Sequence, residues 1–210
     1  MDLNLPAGEA LAGFAFAATL MEITPGPNMG YLAIVALTDG RRAGFAAVAG
    51  VALGLTLVGL AAALGLGAAV SASPSLYQGL RWGGVGYLLW LAWQGWRGAD
   101  ETPEHAAHGS SLGRFFVRGL VTNLLNPKAF AFFLTMMPGF IDMGALVAPQ
   151  AVALSLIYVA IATSIHLLIV TAADASGRLL GSDRRQQAIR RVLAVLLVGV
   201  AIWLAVKTAA

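Results

Sequence analysis

Thr24-Pro25-Gly26-Pro27-Asn28 interrupts the middle of the first apolar segment of this chain. Proline removes a backbone donor and clashes with the preceding turn, so a helix entering this run must break or kink. A second interruption, Asn126-Pro127-Lys128, falls inside the fourth apolar segment, with Pro127 one hundred residues after Pro27. Within a bilayer such a break bares peptide groups that lipid cannot satisfy. It persists only where protein packs around it or where it lines a polar cavity. Paired breaks at corresponding positions of two halves are the sequence mark of a substrate site near the midplane.

The composition supplies the bilayer. Of 210 residues, 59% are hydrophobic and only 11% are charged, against about 25% charged in soluble domains. Uncharged stretches run from Ala43 to Val70 and from Met143 to Ile165, each long enough to span. These features describe an all-α membrane protein, one integral membrane domain over residues 1–210, with no length left for a soluble catalytic domain. Cysteine is absent, which excludes disulfides and thiolate metal sites. The net charge of +3 is no footprint for nucleic acid, because the arginines cluster beside spans. Asp2 and Glu9 precede any Lys or Arg, unlike the basic start of a secretory signal, so the first apolar run reads as a retained helix.

Six transmembrane helices are expected at about 9–37, 43–70, 77–97, 115–141, 147–173 and 189–207. The connections are short except for 98–114, a cytoplasmic linker that separates halves at about 1–97 and 115–210. Ten cations lie at one set of ends: Arg41, Arg42, Arg97, Arg114, Arg118, Arg178, Arg184, Arg185, Arg190 and Arg191. Only Arg81 and Lys207 lie at the other, so the positive-inside rule puts both termini on the non-cytoplasmic side. Three spans per half make the second half run opposite to the first, giving two inverted-topology three-helix repeats with helices 1 and 4 broken. The third and sixth spans add a correspondence. Each holds fifteen uncharged residues between flanking cations, Arg81 to Arg97 and Arg191 to Lys207.

Few residues in these spans can carry chemistry. Glu22 lies thirteen residues into the first span, where a carboxylate is costly, by at least ~2.5 kcal/mol. It reads as a proton carrier or as the partner of a substrate ammonium group, against a plain role joining two helices. Lys128 falls in the first turn after Asn126 and Pro127, where its charge opposes the helix dipole and calls for an anion. Glu22 or a substrate carboxylate would provide one, and a Glu22–Lys128 pair across the breaks is expected. Each break aims a half-helix N-terminus at the midplane, a site for a carboxylate. The substrate-binding set is therefore Glu22, Thr24, Pro25, Gly26, Pro27, Asn28, Asn123, Asn126, Pro127 and Lys128. His166, in the fifth span, joins Glu22 as a candidate for proton coupling, against a simpler role in an interhelical hydrogen bond. Gly50 and Gly54 read as a helix-packing pair. The aromatics Trp82, Tyr87, Trp90, Trp93 and Trp96 read as belt and packing residues rather than a substrate cage. Glu104, His105 and His108 sit in the linker as a solvated loop rather than a metal site, and nothing calls for a metal or a cofactor. There is no Gly-rich Walker loop to suggest ATP-driven transport.

With these residues in place, the chain resembles the lysine-exporter and homoserine–threonine-exporter family, the LysE/RhtB type. The resemblance rests on Thr24-Pro25-Gly26-Pro27-Asn28, Gly40-Arg41-Arg42-Ala43-Gly44-Phe45, Gly50 and Gly86-Tyr87-Leu88. It continues through Phe116-Val117-Arg118-Gly119-Leu120, Asn123 and Asn126-Pro127-Lys128-Ala129, and so covers essentially the whole chain. It implies a multi-pass secondary transporter of the bacterial inner membrane that exports amino acids or related small metabolites, driven by the proton gradient. It also implies that Pro25, Gly26, Pro27, Asn28, Asn126, Pro127 and Lys128 lie at the centre. Glu22 and His166 rest on the physical argument alone. The expected partners are an amino-acid substrate, protons and the lipid bilayer, with a homo-oligomer left open and no nucleic acid. A permease for ions or other small metabolites is the alternative. An intramembrane enzyme built on Glu22 and His166 lacks a nucleophile–base pair at recognisable spacing, so the chain is not expected to be an enzyme.

Overall fold

The computed structural model describes residues 8–24, 26–64, 73–97 and 111–179, with scattered positions from 188 to 206. Pro25, most of the linker with Glu104, His105 and His108, and most of the expected sixth span lie outside the described residues. Among the described residues every regular element is helical: α1 (Gly8–Ile23), α2 (Pro27–Ala63), α3 (Pro74–Arg97), α4 (Leu112–Leu124), α5 (Pro127–Ala131) and α6 (Val147–Leu179). Two of them, α2 and α6, are long and apolar enough to cross a membrane.

The connection expected at Asp39-Gly40 is a one-residue fold inside α2. Gly40 has φ 83° and ψ 172°, a backbone that a Cβ would strain. A Cβ placed on Gly44 would lie 3.4 Å from Ala36 Cβ. Eight residues of straight helix would separate those positions by about 12 Å, so arms 27–39 and 41–63 fold back on each other. Asp174 of α6 secures the corner, its Oδ1 accepting from Arg41 N at 3.1 Å. Asp174 thus caps the start of arm 41–63, and α6 runs on to Leu179, past the expected end at 173.

Glycines set how closely the arms pack. A Cβ on Gly50 would stand 1.9 Å from Phe116 O, and one on Gly119 would stand 2.2 Å from Ala47 O. Arm 41–63 and α4 therefore meet backbone to backbone, with Gly54 against the Asn123 side chain. The reading of Gly50 and Gly54 as a packing pair is met by a partner with its own glycine. On its other side the arm lies against α6, with Gly44 on Val170 and Gly59 on Ser155, which makes the two antiparallel. Arm 27–39 runs parallel to α6, with Gly177 against Leu37 O.

The second half of the fourth apolar segment is less regular than a single broken helix. After α5 the chain widens into a π turn at Phe132–Met136 and tightens into a 3-10 turn at Met137–Phe140. Pro138 explains the change, since it cannot donate to the carbonyl four residues back. Trp82, Trp90, Trp93 and Trp96 are exposed on α3, and arginines lie over three of these rings: Arg118 on Trp90, Arg97 on Trp93 and Arg191 on Trp96. That outward placement suits a belt better than a cage.

Candidate functional site

The two breaks are built alike. At the first, α1 ends at Ile23 and Gly26 is extended at φ −154°, ψ 177°, with Pro27 opening α2. At the second, α4 closes through Leu125, and Asn126 is extended at φ −90°, ψ 104° before Pro127 opens α5. Proline is suited to the first helical position because no partner is needed for its nitrogen there. The capping differs. Asn126 Oδ1 accepts from Lys128 N at 3.1 Å, whereas Gly26 has no side chain to offer and leaves the first turn of α2 without a side-chain cap.

Two contacts join the breaks. Lys128 Nζ donates to Thr24 O at 2.6 Å, and Asn28 Nδ2 donates to Asn123 Oδ1 at 2.8 Å. A Cβ on Gly26 would meet Lys128 Cδ at 3.2 Å, so glycine there lets the lysine lie along the backbone. The structure thus brings Thr24, Gly26, Asn28, Asn123, Asn126 and Lys128 into one cluster. Pro27 flanks it, as does the backbone of Pro127.

Glu22 and Lys128 make no direct ion pair, although each lies within the other's field. Lys128 instead offsets the negative end of α1, where the last carbonyls have no helical partner. Glu22 turns to α6: its Oε1 accepts a hydrogen bond from the Tyr158 hydroxyl, and its Oε2 lies 3.3 Å from His166 Nε2. The His166 contact lies off the line of a hydrogen bond. Tyr158, Ala162 and His166 form one buried stripe along α6, with the small Ala162 between the two partners of the carboxylate. Glu22 itself is 5% exposed. At such depth a carboxylate needs opposite charge and donors, or its desolvation would cost several kcal/mol.

Toward the start of α1 the site is closed by aromatic rings. Tyr158 stacks on Phe132 at 4.5 Å and meets Phe133 edge-on at 5.0 Å. Phe14 packs against Phe132 and Phe140, each at 5.4 Å. Aromatic rings thus pack on the Tyr158 side of Glu22, and two residues after Glu22 the Thr24 carbonyl accepts from Lys128. Sequence reasoning missed Tyr158, although its place eight residues before His166 puts it on the same helical face. It also missed Tyr31, buried one turn after Asn28, whose hydroxyl has no partner among the described residues.

Helices throughout the described residues, two of them apolar and of membrane-spanning length, with Asn28, Asn123, Asn126 and Glu22 buried at two proline breaks, have the build of a membrane translocator. The family model described as LysE type translocator matches residues 19–208, and the chain belongs to that family. It is 31% identical over 129 residues to the homoserine/homoserine lactone efflux protein of Salmonella typhimurium, covering 61% of this chain and 63% of that protein. It is 27% identical over 192 residues to the uncharacterized membrane protein YrhP of Bacillus subtilis, covering 87% and 91%. It is 28% identical over 134 residues to the leucine efflux protein of an Enterobacter species, covering 63% and 64%. The chain thus spans less than two thirds of the length of the two relatives named as efflux proteins. No solved structure matches it.

Proposed function

We propose that this protein is a secondary exporter of amino acids or related small metabolites across the bacterial inner membrane, coupled to the proton gradient. The observation that carries the reading is the juxtaposition of the joined breaks with the buried Glu22–His166–Tyr158 group, two residues before Thr24. The substrate carboxylate meets Lys128 and the uncapped first turn of α2. Its ammonium group meets Glu22 or the carbonyls of the break. Homoserine and leucine efflux relatives support an amino-acid substrate.

Proton coupling follows from charge. With one proton shared between them, Glu22 and His166 are neutral as a pair. A second proton makes the pair cationic, which repels a substrate ammonium and releases the substrate. Proton and substrate then exclude each other, as exchange of one for the other requires. His166 Nδ1 has no partner among the described residues, which leaves it open to take up or pass on that proton.

The framework for this exchange is a six-span inverted repeat with both termini outside, so a reporter fused after Ala210 should read the non-cytoplasmic side. The direct test of function is counterflow of labelled amino acids by the purified protein in proteoliposomes. Exchange that saturates with unlabelled amino acid is expected; an absence of exchange with every amino acid would reject the reading.

A further inference from the structure

Thr163 departs from the habit of its helix. The other hydroxyls of α6, on Ser155, Ser164, Thr171 and Ser176, each donate to the carbonyl four residues back. Thr163 Oγ1 does not; it is buried and has no partner among the described residues. One turn further on, both ring nitrogens of His166 are buried without a hydrogen bond. Buried polar atoms are almost always bonded, and a hydroxyl that forgoes its own helix has turned toward another partner. Positions three apart on a helix have Cβ atoms about 5–6 Å apart. A single water spans such a gap and bonds to both side chains.

The placement gives that water a part in the chemistry. At about 100° per residue, Tyr158, His166 and Thr163 lie at roughly 0°, 80° and 140° around α6. Glu22 is held between the first two, so Thr163 stands beyond the imidazole on the side away from the carboxylate. Phe132 and Phe133 pack on Tyr158 at the other end of this row. Few charged groups face His166. Helix α1 brings Glu22 and α6 brings Tyr158, while Lys128 shares a field with Glu22. Residues 43–63 of α2 hold no titratable group, and the one within 27–38 is Tyr31, which lies in the fields of Tyr87 and Arg118.

We infer that Thr163 and His166 Nδ1 hold a buried water through which the Glu22–His166 pair takes up and gives back its coupling proton, with Thr163 as a positioning residue. The first proton of the pair lies between Nε2 and Oε2. The second passes from the water to Nδ1, the water regains one from the aqueous phase, and release runs through the same atoms in reverse. The inference rests on the exporter reading above and names the route of its proton.

Two fluxes of the full chain in proteoliposomes test it, both with an amino acid that the unmodified protein exchanges. One is counterflow at equal pH, which swaps one amino acid for another; the other is efflux driven by an imposed pH gradient, in which the pair must change its protonation. Positioned proton transfer contributes roughly a hundredfold or more, so Thr163→Val should slow driven efflux at least about tenfold relative to counterflow. Thr163→Ser keeps the hydroxyl and should restore the ratio. An unchanged ratio in Thr163→Val, or a reduced ratio that Thr163→Ser shares, would overturn the inference. Should Thr163→Val not fold, NMR of the unmodified protein with labelled histidine decides. A contact between the His166 ring and bound water is expected, and a ring that meets no water would overturn the relay. Absence of counterflow with any amino acid would instead remove the exporter reading, and efflux of the unmodified protein that ignores the gradient would remove its coupling.

Discussion

Replacing Gly50 with alanine adds one methyl group where arm 41–63 crosses α4. The new Cβ would stand 1.9 Å from Phe116 O and 2.8 Å from Leu120 N, both backbone atoms that cannot swing aside. Ordinary van der Waals contact begins at 3.4 Å, so the helices must part by roughly 1 to 1.5 Å at this point, losing dispersion contacts along the seam. Overpacking of this kind costs about 1–3 kcal/mol, set against about 1 kcal/mol gained from alanine's better helix propensity. A net loss of up to about 2 kcal/mol should lower the detergent melting temperature by up to several degrees. Transport should suffer more than stability. The displaced α4 carries Asn123, whose amide is bonded to Asn28 at 2.8 Å, and a misplacement of about 1 Å at a site can cost a hundredfold. Gly79→Ala is the control, since a Cβ there meets nothing within 4 Å. If Gly50→Ala melts and exchanges substrate as Gly79→Ala does, the backbone crossing is wrong.

Three further changes probe the breaks and their supports. Pro25→Ala with Pro27→Ala should let α1 run into α2, abolishing exchange while membrane insertion persists; full exchange would reduce the motif to a kink. In double-mutant cycles read by melting, Glu22→Gln and His166→Gln should couple by about 0.5–3 kcal/mol. Glu22→Gln and Lys128→Met should couple more weakly, since they share a field but no direct contact, and the reverse order would contradict the observed partners. Asp174→Ala should cost about 1 kcal/mol through loss of the cap on Arg41 N, with Asp174→Asn recovering most of it; equal losses would assign Asp174 another role.

The sequence was most informative where local chemistry decides. Pro27 and Pro127 fix where two helices begin, and the extended residues ahead of them follow from proline's effect on its neighbour. Glu22 stood out because an acid so far from a span end is rare. His166 stood out beside it as a titratable group in a span, but its contact with Glu22 and the part of Tyr158 were not legible, because they come from the rotation of α6 against α1, which no local rule sets. The same holds for Lys128, whose charge called for an anion and met the carbonyl end of α1 instead. Helix-end dipoles satisfy a lysine as an acid would, and a sequence does not show which end will be near. The π and 3-10 turns after α5 could have been anticipated from Pro138, eleven residues after Pro127. Gly40 marked a turn, but its positive φ and the tight fold of the two arms emerge only from packing.

Proton-driven exchange is the central claim, and one flux measurement addresses it. Proteoliposomes holding the purified protein are loaded with a labelled amino acid that exchanges in counterflow, and the pH is lowered on the side toward which the substrate leaves. Loss of label should accelerate with the imposed gradient, return to its basal rate with a protonophore, and show no such acceleration in Glu22→Gln. Efflux from the unmodified protein that ignores the gradient, or a Glu22→Gln variant that still responds to it, would contradict the coupling assigned to Glu22 and His166.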